Sequence, residues 1–377
     1  MCVLFLINVL FISFRVVLST EIIGLSTTFA SEKNRPPRSH ELTMEFSFDE
    51  YLQHFGKFYT SSEEYERRKR LFLNKLKEIL AHNKDKTKSW KKGLNELTDM
   101  SDAEIKQKKK GRIGTPALIP PQKFIKIKSE LPSTVDWRTK DVVTPVKNQG
   151  SCGCCWSEAA TECIESQLAI NTGSLLILSP QEFIDCAQNP DSCGGTGGCQ
   201  GATAEIAYAT AIKYGAFLES EFPFQGKNGN CTNTPSPVAN VSGWVRLPRN
   251  DYDALMQAVA TIGPIAISVD ASWTDYESGV FPASEGGTDI DHAVQLVGYG
   301  YDNTSKLSYW LVRNSWGTSW GEDGYIRLER NASGLPCGTD TDNQDGVGCA
   351  SDPTNVTVCG TSAILYDSSY PTGVYLL

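Results

Sequence analysis

The sequence predicts an α+β protein in which a helical leader precedes a body that is helical first and β-rich afterwards. Three observations point there. Residues 61–83 carry a 3.6-residue apolar repeat, with Tyr65, Phe72, Leu76, Ile79 and Leu80 on one side. Residues from about Cys155 to Asn171, and again near 202–214, read as helices. After them come GPIAISVD, HAVQLVGYG, YWLVRNSW and GYIRLER, short β-branched or aromatic runs that read as strands of a sheet or barrel.

The chain of 377 residues is 40% hydrophobic and can bury a full core. Its first stretch, MCVLFLINVLFISFRVVLST, is apolar from Cys2 to Phe14 and then broken by Arg15. With small residues at Ser19 and Thr20, residues 1–20 read as a secretory signal peptide. Helical leader segments follow in EFSFDEYLQHFGKFY and SSEEYERRKRLFLNKLKEILAHN, where Ser61 or Ser62 can cap the second helix. Glu64, Arg68, Phe72, Lys75, Ile79 and Asn83 form one stripe of it. In KKGLNELTDM, Gly93, Asn95, Leu97 and Asp99 alternate as in a short strand with a turn. Residues 106–128 are rich in Lys and Pro, the composition of an exposed linker open to proteolysis.

Charge divides the chain. Residues 1–130 hold 24 Lys+Arg and 16 Asp+Glu; from Leu131 onward there are 11 and 28, so a basic leader precedes an acidic body. Nucleic acid is excluded as a partner of such a body. Twelve cysteines suit an oxidising compartment. A zinc protein would need CxxC pairs or more histidines than the four present, so neither a metal nor a cofactor is expected. Five N-x-S/T sequons, at Asn230, Asn240, Asn303, Asn331 and Asn355, fit glycosylated surface loops.

The chemistry concentrates in GSCGCCWSE. A cysteine nucleophile needs a base, a group to orient the base, and donors for an oxyanion. His40, His54 and His82 all lie in the leader, so His292 is the sole imidazole of the body. It opens an apolar run in DIDHAVQLVGYG, and Asn314 follows in RNSWGTSWG, where Trp316 and Trp320 can shield a hydrogen bond from water.

These segments resemble papain-like cysteine peptidases of the cathepsin L type: NQGSCGCCW the nucleophile segment, DHAVQLVGYG the histidine segment, RNSWGTSWG the asparagine segment, in family order. The stripe on the leader helix is similar to the family's inhibitory propeptide motif except at Lys75, where Asn is usual. The GxNxLxD stretch is similar to its second motif, with Leu97 in place of Phe. The resemblance implies a two-half fold around a cleft, preceded by a helical inhibitory propeptide, with boundaries at 1–20, 21–130 and 131–377. It implies Cys155 as nucleophile at a helix N terminus, His292 as its proton partner, Asn314 as orienter, and Gln149 as oxyanion donor with the Cys155 backbone N–H. Gly201, Ala202 and Trp316 would line the substrate. Expected partners are protein and peptide substrates and the chain's own propeptide; the mature protein would be a monomer off the membrane, in the lysosome, vacuole or extracellular space.

The resemblance also implies Cys152–Cys199 and Cys186–Cys231 bridges. Cys154 departs from it, and three readings stay open: a bridge to Cys193, a free thiol, or a vicinal disulfide with Cys155. Cys337, Cys349 and Cys359 are left with open pairing and Cys163 as a buried thiol. Glu158 and Glu162 are read as acids suiting the helix dipole. Endopeptidase action is expected, because a carboxydipeptidase of the cathepsin B kind needs occluding-loop histidines. The alternatives are a catalytically silent homologue acting as a binding protein, and a disulfide scaffold, which would not require Cys155, His292 and Asn314 together.

Overall fold

The computed structural model describes residues 35–109, 120–127, 130–232, 234–331, 336–346 and 348–377. The expected signal peptide and the middle of the Lys/Pro linker lie outside them.

The leader begins with α1 (Phe48–His54) and α2 (Ser62–Lys84). Ser47 closes a capping box with Glu50, and Ser61 caps α2 through Glu64 N–H, which decides between the two candidate serines. Phe72, Leu76 and Ile79 of α2 pack with Phe48, Tyr51, Leu42 and Leu94 into a small core of the leader's own. At the solvent end of the same stripe, Arg68 joins Glu64 and Glu104 at 2.7 and 2.8 Å. At the other end, the Asn83 side chain bonds both backbone groups of Lys92.

The strand expected over Gly93–Asp99 is displaced. The ladder is β1 (Trp90–Lys92), paired with the body, and residues 93–99 form turns. Each alternate residue is instead pinned singly: Gly93 N–H and the Asn95 side chain donate to Asp275 O and Thr274 O, Leu97 is buried, and Asp99 accepts from Tyr51, Tyr59 and Lys57. α3 (Asp102–Lys109) ends the leader's helical part. The tail of the expected linker is exposed in its side chains but not a loose segment, because β2 (Gln122–Lys123) adds to the body sheet in parallel with residues 243–246.

The body opens with β3 (Val135–Asp136) and the helices α4 (Cys155–Thr172), α5 (Pro180–Cys186) and α6 (Ala204–Tyr214). α4 is buried from Cys155 to Ala169, so its sequence shows no clean polar face; Gly173, at φ 76°, ends it in the left-handed conformation that glycine tolerates. The remaining elements are β4 (Ala239–Asn240), β5 (Gly243–Arg246), α7 (Tyr252–Thr261), β6 (Ile265–Val269), β7 (Tyr276–Phe281), β8 (His292–Asp302), β9 (Leu307–Arg313), β10 (Tyr325–Glu329), β11 (Cys337–Asp340), α8 (Asn343–Gly346), β12 (Val356–Cys359), β13 (Ser368–Thr372) and β14 (Tyr375–Leu376). The main sheet runs β1-β7-β10-β9-β8-β6-β13-β5-β2, with β3 also on β8. Two cores result: one around α4 and α6, the other under the sheet and joined by Trp90, Leu97 and Ile105 of the leader.

Candidate active site

The site is assembled where α4 begins and β8 begins. Cys152 is bonded to Cys199, Gly153 N–H donates to Cys199 O at 3.1 Å, and Trp156 Nε1 donates to Gly198 O at 3.0 Å. Those three ties hold residues 198–202 beside the first turn of α4. Cys155 is the first residue of the helix, where backbone N–H groups lack intrahelical partners.

β8 supplies His292 as its first residue. Antiparallel pairing aligns Gln295 with Arg313, so the residues just past the end of β9 come alongside the start of β8. His292 Nε2 lies 2.8 Å from Asn314 Oδ1, and the Trp316 ring stacks on the imidazole with centroids 4.9 Å apart. Ser315 N–H also donates to Asn314 Oδ1, at 2.8 Å, which fixes the amide's orientation. From the next residue on β8, Ala293 N–H points at Cys155 Sγ from 3.2 Å, bringing the sulfur to the histidine strand. Gln149 is held at both ends of its amide: Nε2 donates to Cys152 O at 2.9 Å and Oε1 accepts from Ser315 Oγ at 2.6 Å. Cys155, His292, Asn314 and Gln149 are all fully buried. Gly201, at φ 88°, and Ala202 follow the Cys152–Cys199 bridge along the cleft, with Gly201 O receiving Gly197 N–H at 2.7 Å. All seven residues expected from sequence therefore meet here.

Two neighbours escaped that reading. Trp273 approaches His292 edge-on at 6.1 Å and packs against Trp316 and Trp320; a lone Trp in a loop carries no local signal. Ser315 was hidden between Asn314 and Trp316.

Residues 131–346 match the Papain family cysteine protease domain, and residues 48–105 the Cathepsin propeptide inhibitor domain (I29). The chain belongs to the papain family of cysteine proteases. The Senescence-specific cysteine protease SAG39 of Oryza sativa subsp. indica is 35% identical over 303 residues, spanning 78% of this chain and 87% of that protein. Procathepsin L of Rattus norvegicus is 40% identical over 256 residues, 63% of this chain and 72% of that protein. The solved structure of digestive procathepsin L 3 from Tenebrio molitor larval midgut superposes with a TM-score of 0.71 at 32% identity, covering 86% of this chain and 97% of that one. This papain-family protein is a cysteine endopeptidase made as a zymogen, with its propeptide as intramolecular inhibitor.

The remaining cysteines of the papain-family body resolve the readings that stayed open. Cys186 pairs with Cys231 as the resemblance implied, but Cys193 pairs with Cys349, not Cys154, and Cys337 pairs with Cys359. Cys154 keeps its thiol, buried against Ile184 and Phe224, and does not join Cys155. Cys163 is a buried thiol as expected, its ionisation pushed up by burial.

Glu158 and Glu162 are buried, not solvated acids at the helix start. α4 has no solvent face there, and burial raises Glu158 to about 8; Glu162 rises to about 7 even with Arg313 at 3.3 Å. Glu158 lines a cavity of about 230 Å³ with Lys147, Glu219 and Phe224. Lys147 itself is committed to Glu165 at 3.0 Å.

Proposed function

We propose that Cys155 is the nucleophile, His292 its base and then the acid for the leaving amine, Asn314 the orienter of the imidazole, and Gln149 with the Cys155 backbone N–H the oxyanion donors. The observation that carries this reading is the double tie of His292: its Nε2 sits at 2.8 Å from Asn314 Oδ1 while its chain neighbour Ala293 bonds the Cys155 sulfur. With Nε2 given to Asn314, Nδ1 is the nitrogen that exchanges the proton with Sγ. Thiolate attack on the carbonyl carbon forms the C–S bond and puts charge on the oxygen. Gln149 Nε2 carries two hydrogens and Cys152 O uses one; the second, with Cys155 N–H, meets that oxygen. Collapse expels the amine with the proton from His292, and water, deprotonated by the same ring, releases the acid. The stacked Trp316, with Trp273 and Trp320 behind it, keeps water from the His292–Asn314 bond.

Gly201 and Ala202 would present backbone to an extended substrate, and Trp316 would border its leaving side. The mature protease would begin near Leu131 as a monomer, after cleavage in the 106–128 linker at acid pH, in the lysosome, vacuole or extracellular space. Four bridges favour an oxidising compartment. The sequon residues Asn230, Asn303, Asn331 and Asn355 are exposed, while Asn240 lies half-buried on β4, so glycans would fall on the first four.

The test is labelling of the acid-activated protein with a cysteine-alkylating epoxide and mapping of the adduct, beside Cys155→Ala, His292→Ala and Asn314→Ala. Alkylation of Cys155 alone is expected, with activity down about 1000-fold or more for the first two variants and about 10- to 100-fold for the third. Full turnover by His292→Ala, or an adduct elsewhere, overturns the assignment.

A further inference from the structure

Between β10 and β13, residues 336–346 and 348–359 build a structure of their own. β11 and β12 pair from Cys337↔Cys359 to Asp340↔Val356, and the Cys337–Cys359 disulfide closes the base of this hairpin. From its far end α8, Gly348 and Cys349 reach outward, and two sets of contacts fix where they go.

The first set lies on the β-rich half, just ahead of His292. Thr288 Oγ1 donates to Thr339 O at 3.0 Å, and Ile290 N–H donates to Asp340 Oδ2 at 3.4 Å. Gly346 lies so close to Ile290 that a Cβ there would stand 1.9 Å from the Ile290 carbonyl oxygen. The second set lies on the helical half. Cys349 is bonded to Cys193, 156 residues away in sequence, Gly194 N–H donates to Gly348 O at 3.1 Å, and Ala350 N–H donates to Asp191 O at 3.3 Å. That loop runs on to Gly197 and its bond with Gly201 O. Cys193, Ala202, Ile290, Ala293, Cys349 and Val358 are all buried in one cluster with Cys155.

The segment thus spans from the β-rich half, where hydrogen bonds and close packing hold it, to the helical half, where Cys193–Cys349 fixes it covalently. We propose that this strap closes the end of the substrate groove beside Gly201 and Ala202, and so sets how many residues the protease recognises on the acyl side of the scissile bond. The proposal rests on the reading of Cys155 as nucleophile and of Gly201–Ala202 as substrate-lining backbone. The side follows from the chemistry. A leaving amine protonated by His292 departs past Trp316, where Asn148 bridges to Trp316 and Gly317 N–H bonds Lys147 O. The strap stands on the other flank, its Cys349 and Val358 in the buried cluster that holds Ala202 and Ala293. Gly201 and Ala202 offer backbone to about two residues of an extended substrate. Beyond them a substrate meets a barrier that the Cys193–Cys349 bridge keeps from swinging aside, and turns into solvent. Residues held in solvent add no transition-state binding, so the specificity constant stops rising with length.

The experiment uses the activated enzyme and peptides with two, three, four and five residues on the acyl side and a constant leaving group, with a second series lengthened only on the leaving side. The wild type is expected to gain less than about twofold in kcat/KM beyond the second acyl-side residue. The Cys193→Ser/Cys349→Ser double variant should gain about tenfold or more from the third and fourth, with an unchanged leaving-side series. A second variant, in which a short Gly–Ser turn joins β11 to β12 with Cys337–Cys359 retained, should behave likewise. A wild type whose kcat/KM climbs steadily to five residues overturns the strap by itself, whatever the variants do. Variants that lose the same factor on every peptide show a disulfide that only stabilises, and also overturn it. Hydrolysis of the two-residue peptide by the wild type and its loss in Cys155→Ala decides the nucleophile reading separately.

Discussion

The propeptide and the protease body hold their carboxyl groups in opposite ways. In the propeptide, Glu64 accepts hydrogen bonds from Arg67 and Arg68 and is lowered to about 2. At Glu104 burial pushes upward but is outweighed by Arg67, Ser101 and Arg68, and it too falls to about 2. In the body, burial dominates at Glu158 and Glu182, both raised to about 8, and at Glu162, raised to about 7. A carboxyl whose folded value lies below its ordinary 4.5 stabilises the fold above 4.5 and loses that contribution as pH falls toward 2. A carboxyl raised to 8 costs nothing below 4.5 and destabilises increasingly as pH climbs from 4.5 to 8. Below pH 4.5 Glu64 and Glu104 therefore lose stabilisation, in a range where Glu158, Glu162 and Glu182 cost nothing.

The largest effect should come from the apolar anchor between the two regions, which carries no charge and sets the scale for the rest. Trp90 packs on Phe281 at 5.0 Å and Tyr276 at 6.2 Å, and its Nε1 donates to Glu285 Oε2 at 3.2 Å. Truncation to Ala removes a buried indole, a loss of about 3–5 kcal/mol. The Trp90→Ala zymogen is expected to process itself about 100-fold faster than wild type at pH 5 and to be labelled at the active-site thiol even at pH 7. Wild-type latency in that variant would mean the grip lies elsewhere.

Next is Glu158, the sharpest expression of the body's side of the contrast. Glu158→Gln removes a group that is neutral when folded and ionised when unfolded, so the mature variant should gain on the order of 3 kcal/mol relative to wild type at pH 7 to 8 and little at pH 4.5. Denaturant unfolding at several pH values reads this directly. Equal slopes of stability against pH in the two proteins would remove Glu158 from the account.

Much of this contrast was legible in the sequence, and the rest had definite reasons for hiding. The stripe Glu64–Asn83 was readable because helix periodicity places those residues on one face whatever they touch. Cys155, His292, Asn314 and Gln149 were readable because their segments are long and ordered along the chain. Cys193–Cys349 was not, since a bridge depends on two loops meeting in space, and 156 residues separate these two cysteines in sequence. Glu158 and Glu162 misled for a related reason. An acid in a first turn suits the dipole only if water reaches it, and nothing local says that α4 is buried all round. Residues 93–99 alternate like a strand because each inward residue finds a separate partner, Gly93 and Asn95 on the body and Asp99 within the leader.

On the propeptide's side, Glu104→Gln leaves Arg67 and the nearly buried Arg68 with a neutral partner. The variant zymogen should lose about 2 kcal/mol of propeptide stability at neutral pH, and the acid-driven loss that remains between pH 4.5 and 2 should shrink. Hydrogen exchange of α2 and α3 in the full-length Cys155→Ala chain measures both. Unchanged protection of α2 across that range would place the acid sensitivity outside the Arg–Glu cluster.

The smallest effect, and the one that separates charge from shape, lies at Lys75. Here the helix stripe of the propeptide departs from the family pattern, and the Lys75 Nζ sits 3.3 Å from Asp275 of the body, with Lys92 Nζ 3.5 Å from the same oxygen. The Asp275 side chain is 8% exposed, so it is screened weakly and needs a cation nearby. Because two lysines share it, removing one leaves the other: Lys75→Asn should weaken the propeptide's hold by only about threefold, and Lys92→Asn similarly. The double variant leaves Asp275 buried without either, and should exceed the product of the single effects by about tenfold or more. The wild-type hold should fall with added salt, and that dependence should flatten in the double variant, while Trp90→Ala keeps it. The readout is the self-processing rate of each full-length zymogen at pH 5 from low to high ionic strength. A double variant equal to the product of the singles, with the salt dependence intact, would show that the basic leader and acidic body meet through apolar packing alone, and that the opposed carboxyl chemistry acts within each region and not between them.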